Sequence, residues 1–124
     1  MERTTRQRRA LSRILAEAGR PLNAIELLDL ARLEVPGMGQ ATVYRTLKDL
    51  INHDEAILVE IPGAVPAYEH SHRGHHHHFH CTVCTKIFEV DGCVPGIEGI
   101  VPSGFQLTGH EIILSGRCVD CVIQ

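Results

Sequence analysis

GQATVYRTLKDLINHDEAILVEIPGAVPAYE, residues 39–69, decides the fold. From Gly39 to Asn52, Val43, Leu47, Leu50 and Ile51 recur at helical spacing and leave Gln40, Thr42, Tyr44, Arg45 and Lys48 on the opposite face. Ile57-Leu58-Val59-Glu60-Ile61 and the stretch Val65 to Glu69 then flank Pro62-Gly63, which reads as two strands joined by a turn. Working upstream, Leu11, Ile14, Leu15 and Ala18 form one apolar face of a helix over Thr5 to Ala18, and Gly19 stops it. Asn23 with Glu26 three residues on is a capping-box signal for a second helix, which Pro36-Gly37 breaks. Three helices followed by a hairpin is the order of a winged helix-turn-helix.

Downstream the pattern changes. His75 to Cys81, Lys86 to Val90 and Ile112 to Leu114 read as strands, with Gly and Pro scattered between Gly92 and Gly104. The expected class is therefore α/β in the α+β sense: a winged helix over residues 1–70 and a small metal-binding lobe over 74–124, with the boundary near His70 to Gly74. Charge divides in the same way. Residues 1–48 hold nine Lys and Arg against five Asp and Glu, whereas residues 49–124 hold three against ten together with all nine histidines. A basic half suits a polyanion and an acidic, His- and Cys-rich half suits cations. With 124 residues, no Trp and few aromatics, two small lobes need a metal or a partner subunit for support. No stretch is apolar enough to span a bilayer and no signal peptide is visible, so a cytoplasmic location without a membrane partner is expected.

Five cysteines in such a setting favour metal over disulfides. Cys81-x-x-Cys84 and Cys118-x-x-Cys121 are two knuckles, each half of a tetrahedral thiolate site that suits structural Zn²⁺. Cys93 is left over; a small buried residue is the expected role, with an extra ligand or an oxidisable thiol as the alternatives.

The run His75-His76-His77-His78 precedes the first knuckle. If residues 75–81 are extended, His76, His78 and His80 face one way and His75 and His77 the other, so one segment can feed two sites. Glu69 and Glu89 are candidates to complete the first, and His110 or Glu98 the second. Imidazole with carboxylate suits zinc, iron, manganese or nickel.

Taken together, Arg6-Gln7-Arg8, Ala41-Thr42-Val43-Tyr44-Arg45, Tyr68-Glu69, the HHHHFHC stretch ending at Cys81, Cys84, His110 and Cys118-x-x-Cys121 resemble the ferric uptake regulator superfamily of bacterial metalloregulators. The resemblance runs over nearly the whole chain. It implies a winged helix that reads operator DNA and a C-terminal lobe that dimerises, carries a Cys₄ zinc and senses metal. It also implies a main regulatory site at Glu69, His76, His78 and Glu89, and a secondary one at His75, His77 and His110. Two departures lean toward a zinc uptake regulator. Arg20-Pro21-Leu22 stands where iron and peroxide sensors commonly have a histidine, and His70 stands near where peroxide sensors favour an aspartate. His70 or His72 then becomes a candidate sensing ligand. A third departure is the segment Gly92 to Gly104, where the superfamily often has a dimerisation helix. Its three glycines and two prolines between Pro95 and Gly104 disfavour helix, so dimerisation would rely on the sheet.

The start of the third helix nominates Gln40, Thr42, Tyr44 and Arg45 to approach base edges, while Arg3, Arg6, Arg8, Arg9 and Arg13 are expected at phosphates. The expected function is a metal-responsive repressor binding double-stranded operator DNA as a homodimer, with zinc as the regulatory ion and Fe²⁺ or Mn²⁺ as alternatives. An iron- or peroxide-responsive regulator is the near alternative, and a zinc-storage or metallochaperone module the distant one. No enzyme and no organic cofactor are expected, because HExxH, an H-x-E with a partnered P-C-x-x-C and a Gly-rich phosphate loop are all missing.

Overall fold

A computed structural model describes residues 2–71 and 74–122, the side chains of residues 2–4 excepted. Helix α1 spans Glu2–Glu17, and Gly19 just beyond it takes a φ of 72° that is open to glycine without penalty. The two-residue strand β1, Leu22–Asn23, runs straight into α2, Ala24–Ala31. Here the capping box forms: the Glu26 amide donates to Asn23 Oδ1 at 2.8 Å and the Asn23 amide donates to Glu26 Oε1 at 3.0 Å. Helix α3, Gln40–Asn52, buries Val43, Leu47 and Leu50 against α1 and α2. Leu11, Leu15, Leu27, Met38 and Ala56 complete this core, which is aliphatic throughout, as a chain without Trp requires.

The hairpin follows as β2, Ala56–Val59, and β3, Ala67–His70. Its strands are shorter than the apolar runs suggest because Ile61-Pro62-Gly63-Ala64 is itself the turn. The Ala64 amide donates to Ile61 O at 2.9 Å, and Gly63 takes the positive φ of 84° that the third turn position demands. β3 lies between β1 and β2, antiparallel to both. Sequence reading does not find β1, since two residues carry no periodicity.

The second sheet has the order β5-β4-β6, with β4 at His77–Cys81, β5 at Ile87–Val90 and β6 at Ile113–Gly116. β5 is antiparallel to β4 and β6 parallel to it. Residues 92–104 contribute only one turn of 3₁₀ helix, Ile97–Ile100, in line with their glycine and proline content. β6 is an edge strand on which Ile113 and Leu114 are exposed, as are Phe105 and Leu107 in the segment before it. Contact between the two sheets is small: Ile87 of β5 packs with Val59, Ile61 and Ala67, and the Arg20 guanidinium lies 5.8 Å from the Phe88 ring centre. Among the described residues no helix is long and apolar enough to cross a membrane.

Candidate metal centres and the nucleic-acid face

Glu69 is the penultimate residue of β3, just before the chain leaves the first sheet, and only 2% of it is exposed. His76 and His78 come from the start of the second sheet. The His76 Nε2 stands 3.0 Å from both carboxylate oxygens and the His78 Nε2 stands 3.3 Å from both. A buried carboxylate between two imidazoles needs positive charge, from protons or from a cation. Burial works against ionisation of Glu69, but the hydrogen bonds from His78 and His76 outweigh it and hold its pKa below the usual carboxylate range. Burial likewise works against protonated His76, yet its bonds to Gly74 O and Glu69, helped by the charge of Glu89, raise its pKa. The His76 Nδ1 faces Gly74 O at 2.9 Å and so carries a proton; once Nε2 gives up the proton it directs at Glu69, its lone pair is the one a metal would take, the arrangement that metal-ligating histidines use.

Among the residues expected at this site, the structure brings together Glu69, His76 and His78, whose donor atoms all lie within 4.8 Å of one another. Glu89 stands across the ladder from His78 but outside that group of three. The cross-strand position puts its charge near His76 without bringing its oxygens to the donor cluster. His80, on the same face of β4 as His78, is also outside the group and is buried, with no hydrogen-bond partner for its Nε2 among the described residues. His70 is not in the group, and His72 lies outside the described residues. A cleft of about 240 Å³ between Ile57–Ile61 and residues 74–78 opens on Glu69.

His75, His77 and His110 also come together, with ring centres 4.7 to 5.1 Å apart. Burial, then the neighbouring imidazoles His75 and His110, lower the pKa of His77 and keep it in the neutral form that binds metal. The fourth member of this cluster is Cys93, for which the sequence favours a small buried residue and offers an extra ligand only as an alternative. Cys93 is exposed rather than a buried filler, and its Sγ lies 3.3 Å from His77 Nε2 and 3.0 Å from His110 Nε2. Glu98, the residue weighed against His110, sits on the 3₁₀ turn outside the cluster. The spacing Cys93-x₁₆-His110 follows no motif, so only folding could reveal the pair.

The four remaining cysteines converge at the end of the second sheet, all reduced. A tetrahedron with Zn–S bonds of about 2.3 Å has S···S edges of about 3.8 Å. Cys84 and Cys118 lie 3.8 Å apart, so the donor set fits zinc in spacing as well as chemistry. Burial opposes a Cys81 thiolate, but amides of Cys118, Cys84 and Val83 aimed at its sulfur bring the pKa down to about 5. Neighbouring sulfur, first that of Cys118, and burial push Cys121 up to about 12. For Cys84 the Lys86 amide acts downward and is outweighed by burial and adjacent sulfur, so its pKa rises. Four thiolates at this spacing need a cation before all can ionise.

On α3, Gln40, Tyr44 and Arg45 are exposed and Thr42 is half-buried. Arg45 is held loosely, 3.3 Å from Thr42 Oγ1. The arginines of α1 divide. Arg6 and Arg9 are exposed, Arg6 donating to the Glu34 carbonyl at 3.1 Å. Arg8, expected at phosphate, instead donates to Asp49 at 2.8 Å and to Glu55, tying α1 to both ends of the α3–β2 junction. Arg13 is likewise engaged by Glu34 and Glu17. Glu17 is four residues on from Arg13 along the same helix, but Glu34, Asp49 and Glu55 lie far away in sequence, where helix periodicity does not look. The Arg3 side chain is outside the described residues.

With this geometry in place, comparison with known proteins is direct. The profile of the ferric uptake regulator family matches residues 2–115. The chain belongs to that family. Its members are transcription regulators and not enzymes. Ferric uptake regulation protein of Campylobacter upsaliensis is 37% identical over 87 residues, 68% of this chain and 56% of that one; the match therefore spans about half the relative's length. Zinc uptake regulation protein of Mycobacterium tuberculosis is 33% identical over 122 residues, 96% of this chain and 94% of its own. In three dimensions the Helicobacter pylori ferric uptake regulator, described as having three functional metal-binding sites, aligns with a TM-score of 0.78 at 25% identity, covering 94% of this chain and 79% of that one. The mixed α+β architecture expected from the sequence is thus the architecture of the family.

Proposed function

We propose that this family member is a metal-responsive transcriptional repressor that binds double-stranded operator DNA as a homodimer, and that the ion it senses is zinc. The observation that carries the proposal is the meeting of Glu69, from the first sheet, with His76 and His78, from the second. On this reading residues 1–70 form the DNA-binding lobe and residues 74–124 the metal-binding, dimerising lobe. Little apolar surface joins the two, so their relative angle is set by whatever satisfies Glu69.

A divalent ion, when bound, supplies the positive charge that the carboxylate and two neutral imidazoles lack. Glu69, His76 and His78 would hold it, and Glu89 would add negative charge from across the ladder. Cys81, Cys84, Cys118 and Cys121 would hold a structural zinc, and His75, His77 and His110 a secondary ion. With the angle held, the exposed face of α3 presents Gln40, Thr42, Tyr44 and Arg45 to base edges, and Arg6 and Arg9 meet phosphates. Without it the competent geometry is only fractionally populated, which weakens apparent DNA affinity. Dimerisation falls to the exposed β6 edge with Ile113, Leu114, Phe105 and Leu107, since residues 92–104 form no α-helix.

Zinc is favoured over iron by two observations. Arg20, where iron and peroxide sensors commonly carry a histidine, is committed to Glu26 and the Phe88 ring. The match to the mycobacterial zinc uptake regulator also runs nearly end to end in both chains. A storage module would leave the basic, exposed face of α3 without a use. The test is operator binding by gel shift with Zn²⁺, Fe²⁺ and Mn²⁺ added separately, for the wild type and a His76→Ala/His78→Ala variant. Zinc-dependent retardation in the wild type, lost in the variant while one zinc per chain is retained, is the expected result. Retardation of the variant at wild-type zinc concentrations would overturn the assignment.

A further inference from the structure

We propose that Cys93 is the fourth ligand of the second histidine cluster, so that His75, His77, Cys93 and His110 make a three-imidazole, one-thiolate site for a borderline-soft divalent ion such as zinc. The inference deepens the reading of those three histidines as a secondary metal site and rests on it. What it adds is a donor that changes which ion the site prefers.

Three separate stretches of chain deliver the four donors. His75 precedes β4, His77 opens it, Cys93 follows β5, and His110 precedes β6. The imidazole centres form a nearly equilateral triangle with sides of 4.7, 5.1 and 5.1 Å. The Cys93 sulfur touches two of its corners, at 3.3 Å from His77 Nε2 and 3.0 Å from His110 Nε2, and all four donor atoms lie within 4.8 Å of one another. Packing gives no reason for a thiol here. Cys93 is exposed and belongs to neither apolar core, and Gly92 before it takes a φ of 152°, which frees the chain to turn the sulfur toward the histidines.

Four donors of this kind suit tetrahedral coordination, and replacing oxygen by thiolate moves preference away from Mg²⁺, Ca²⁺ and Mn²⁺ toward Zn²⁺ and Co²⁺. The Glu69 site, with one carboxylate and two imidazoles, is the harder of the two. One strand thus carries two sites of different softness on its two faces. Loading also moves protons. The Ile112 amide donates to His77 Nδ1 at 3.2 Å, so in the neutral ring the proton sits on Nε2, directed at Cys93. Ligation through Nε2 requires that proton to move to Nδ1, opening the Ile112 contact, while the Cys93 thiol releases its own.

Cobalt is the probe. The full-length protein, with elemental analysis showing its tightly held zinc in place, is titrated with Co²⁺ and the near-ultraviolet thiolate-to-cobalt charge-transfer band is followed. The Glu69 site has no sulfur, and the four-cysteine site is already filled, so a new band reports Cys93. We expect the band in the wild type and its absence in Cys93→Ser, with affinity for that cobalt lowered at least about tenfold, since loss of even an outer-shell partner costs that much. Cys93 is exposed, so the serine variant keeps its fold. In parallel, peptide mass mapping should show Zn²⁺ protecting Cys93 from iodoacetamide in the wild type but not in His110→Ala. If Cys93→Ser binds the same cobalt with an unchanged spectrum while His110→Ala does not, the histidines bind metal without the thiol and only this inference fails. If neither substitution alters cobalt binding, the secondary site itself is overturned with it.

Discussion

Thr85 shows how closely single residues are tied to the metal-binding geometry. It follows the first knuckle with a φ of 68°, a region costly for a β-branched side chain, and its amide closes the knuckle by donating to Cys81 O at 3.0 Å. The hydroxyl donates to Cys84 O at 2.6 Å, which offsets part of that cost. Thr85→Gly should therefore stabilise the zinc-loaded protein by about 1 kcal/mol, read as a rise in thermal midpoint, provided that the backbone strain exceeds the lost hydrogen bond. An unchanged or lower midpoint would show that the hydroxyl carries more than the strain. Gly116, at the end of β6, is constrained differently: a Cβ there would stand 3.2 Å from the Phe79 ring, so the strand leading to Cys118 passes tight beneath it. Neither demand is legible in sequence. A threonine after C-x-x-C gives no sign of a left-handed backbone, whereas the cysteine spacing itself announces the site.

Among the elements, α2 is the one whose start is best specified by local chemistry. Asn23 and Glu26 satisfy each other's amides, and Arg20 pairs with the same glutamate. Burial opposes ionisation of Glu26, but Arg20 and the Asn23 amide outweigh it and hold its pKa below the usual range. A depressed carboxylate contributes stability above its unfolded pKa that is lost as pH falls through the folded one. Asn23→Ala should cost about 1 kcal/mol in denaturant unfolding at neutral pH. The penalty of Glu26→Ala should begin to shrink as pH falls below the ordinary glutamate value of about 4.3 and should vanish only below the depressed folded pKa. A penalty for Glu26→Ala that persists undiminished in acid would locate its role in packing instead. The capping box and the 3.6-residue stripes of α1 and α3 could be read from the chain because each is an interaction within a few residues. β1 and the engagement of Arg8 by Asp49 and Glu55 could not, because both are settled by contacts with distant segments.

On the scale of the whole molecule, the two sheets share few apolar contacts, and on the proposed reading cations hold them together. Protonation of His76 competes directly with metal at the Glu69 centre. Because its pKa is raised, metal affinity should begin to fall at a pH above the ordinary histidine value of about 6.5, and each pH unit below the folded pKa should cost about tenfold per competing proton. The metal-free protein behaves in the opposite sense: the protonated His76–Glu69 pair stabilises it at low pH, and that contribution is lost as pH rises through the folded pKa. Zinc titrations at several pH values, with unfolding of the chelated protein alongside, test both signs; an affinity flat across this range would remove His76 from the ligand set. The sequence by itself determined the winged-helix order, the four-cysteine set and the two-faced histidine strand, since periodicity and ligand spacing are local properties of the chain. Tertiary structure alone decided that Glu69 meets His76 and His78 while Glu89 stays across the ladder, that Arg8 is claimed by carboxylates, and that Cys93 joins His110. Each of these depends on where backbone segments far apart in sequence are packed, and a donor atom off by a few ångströms is no longer a ligand.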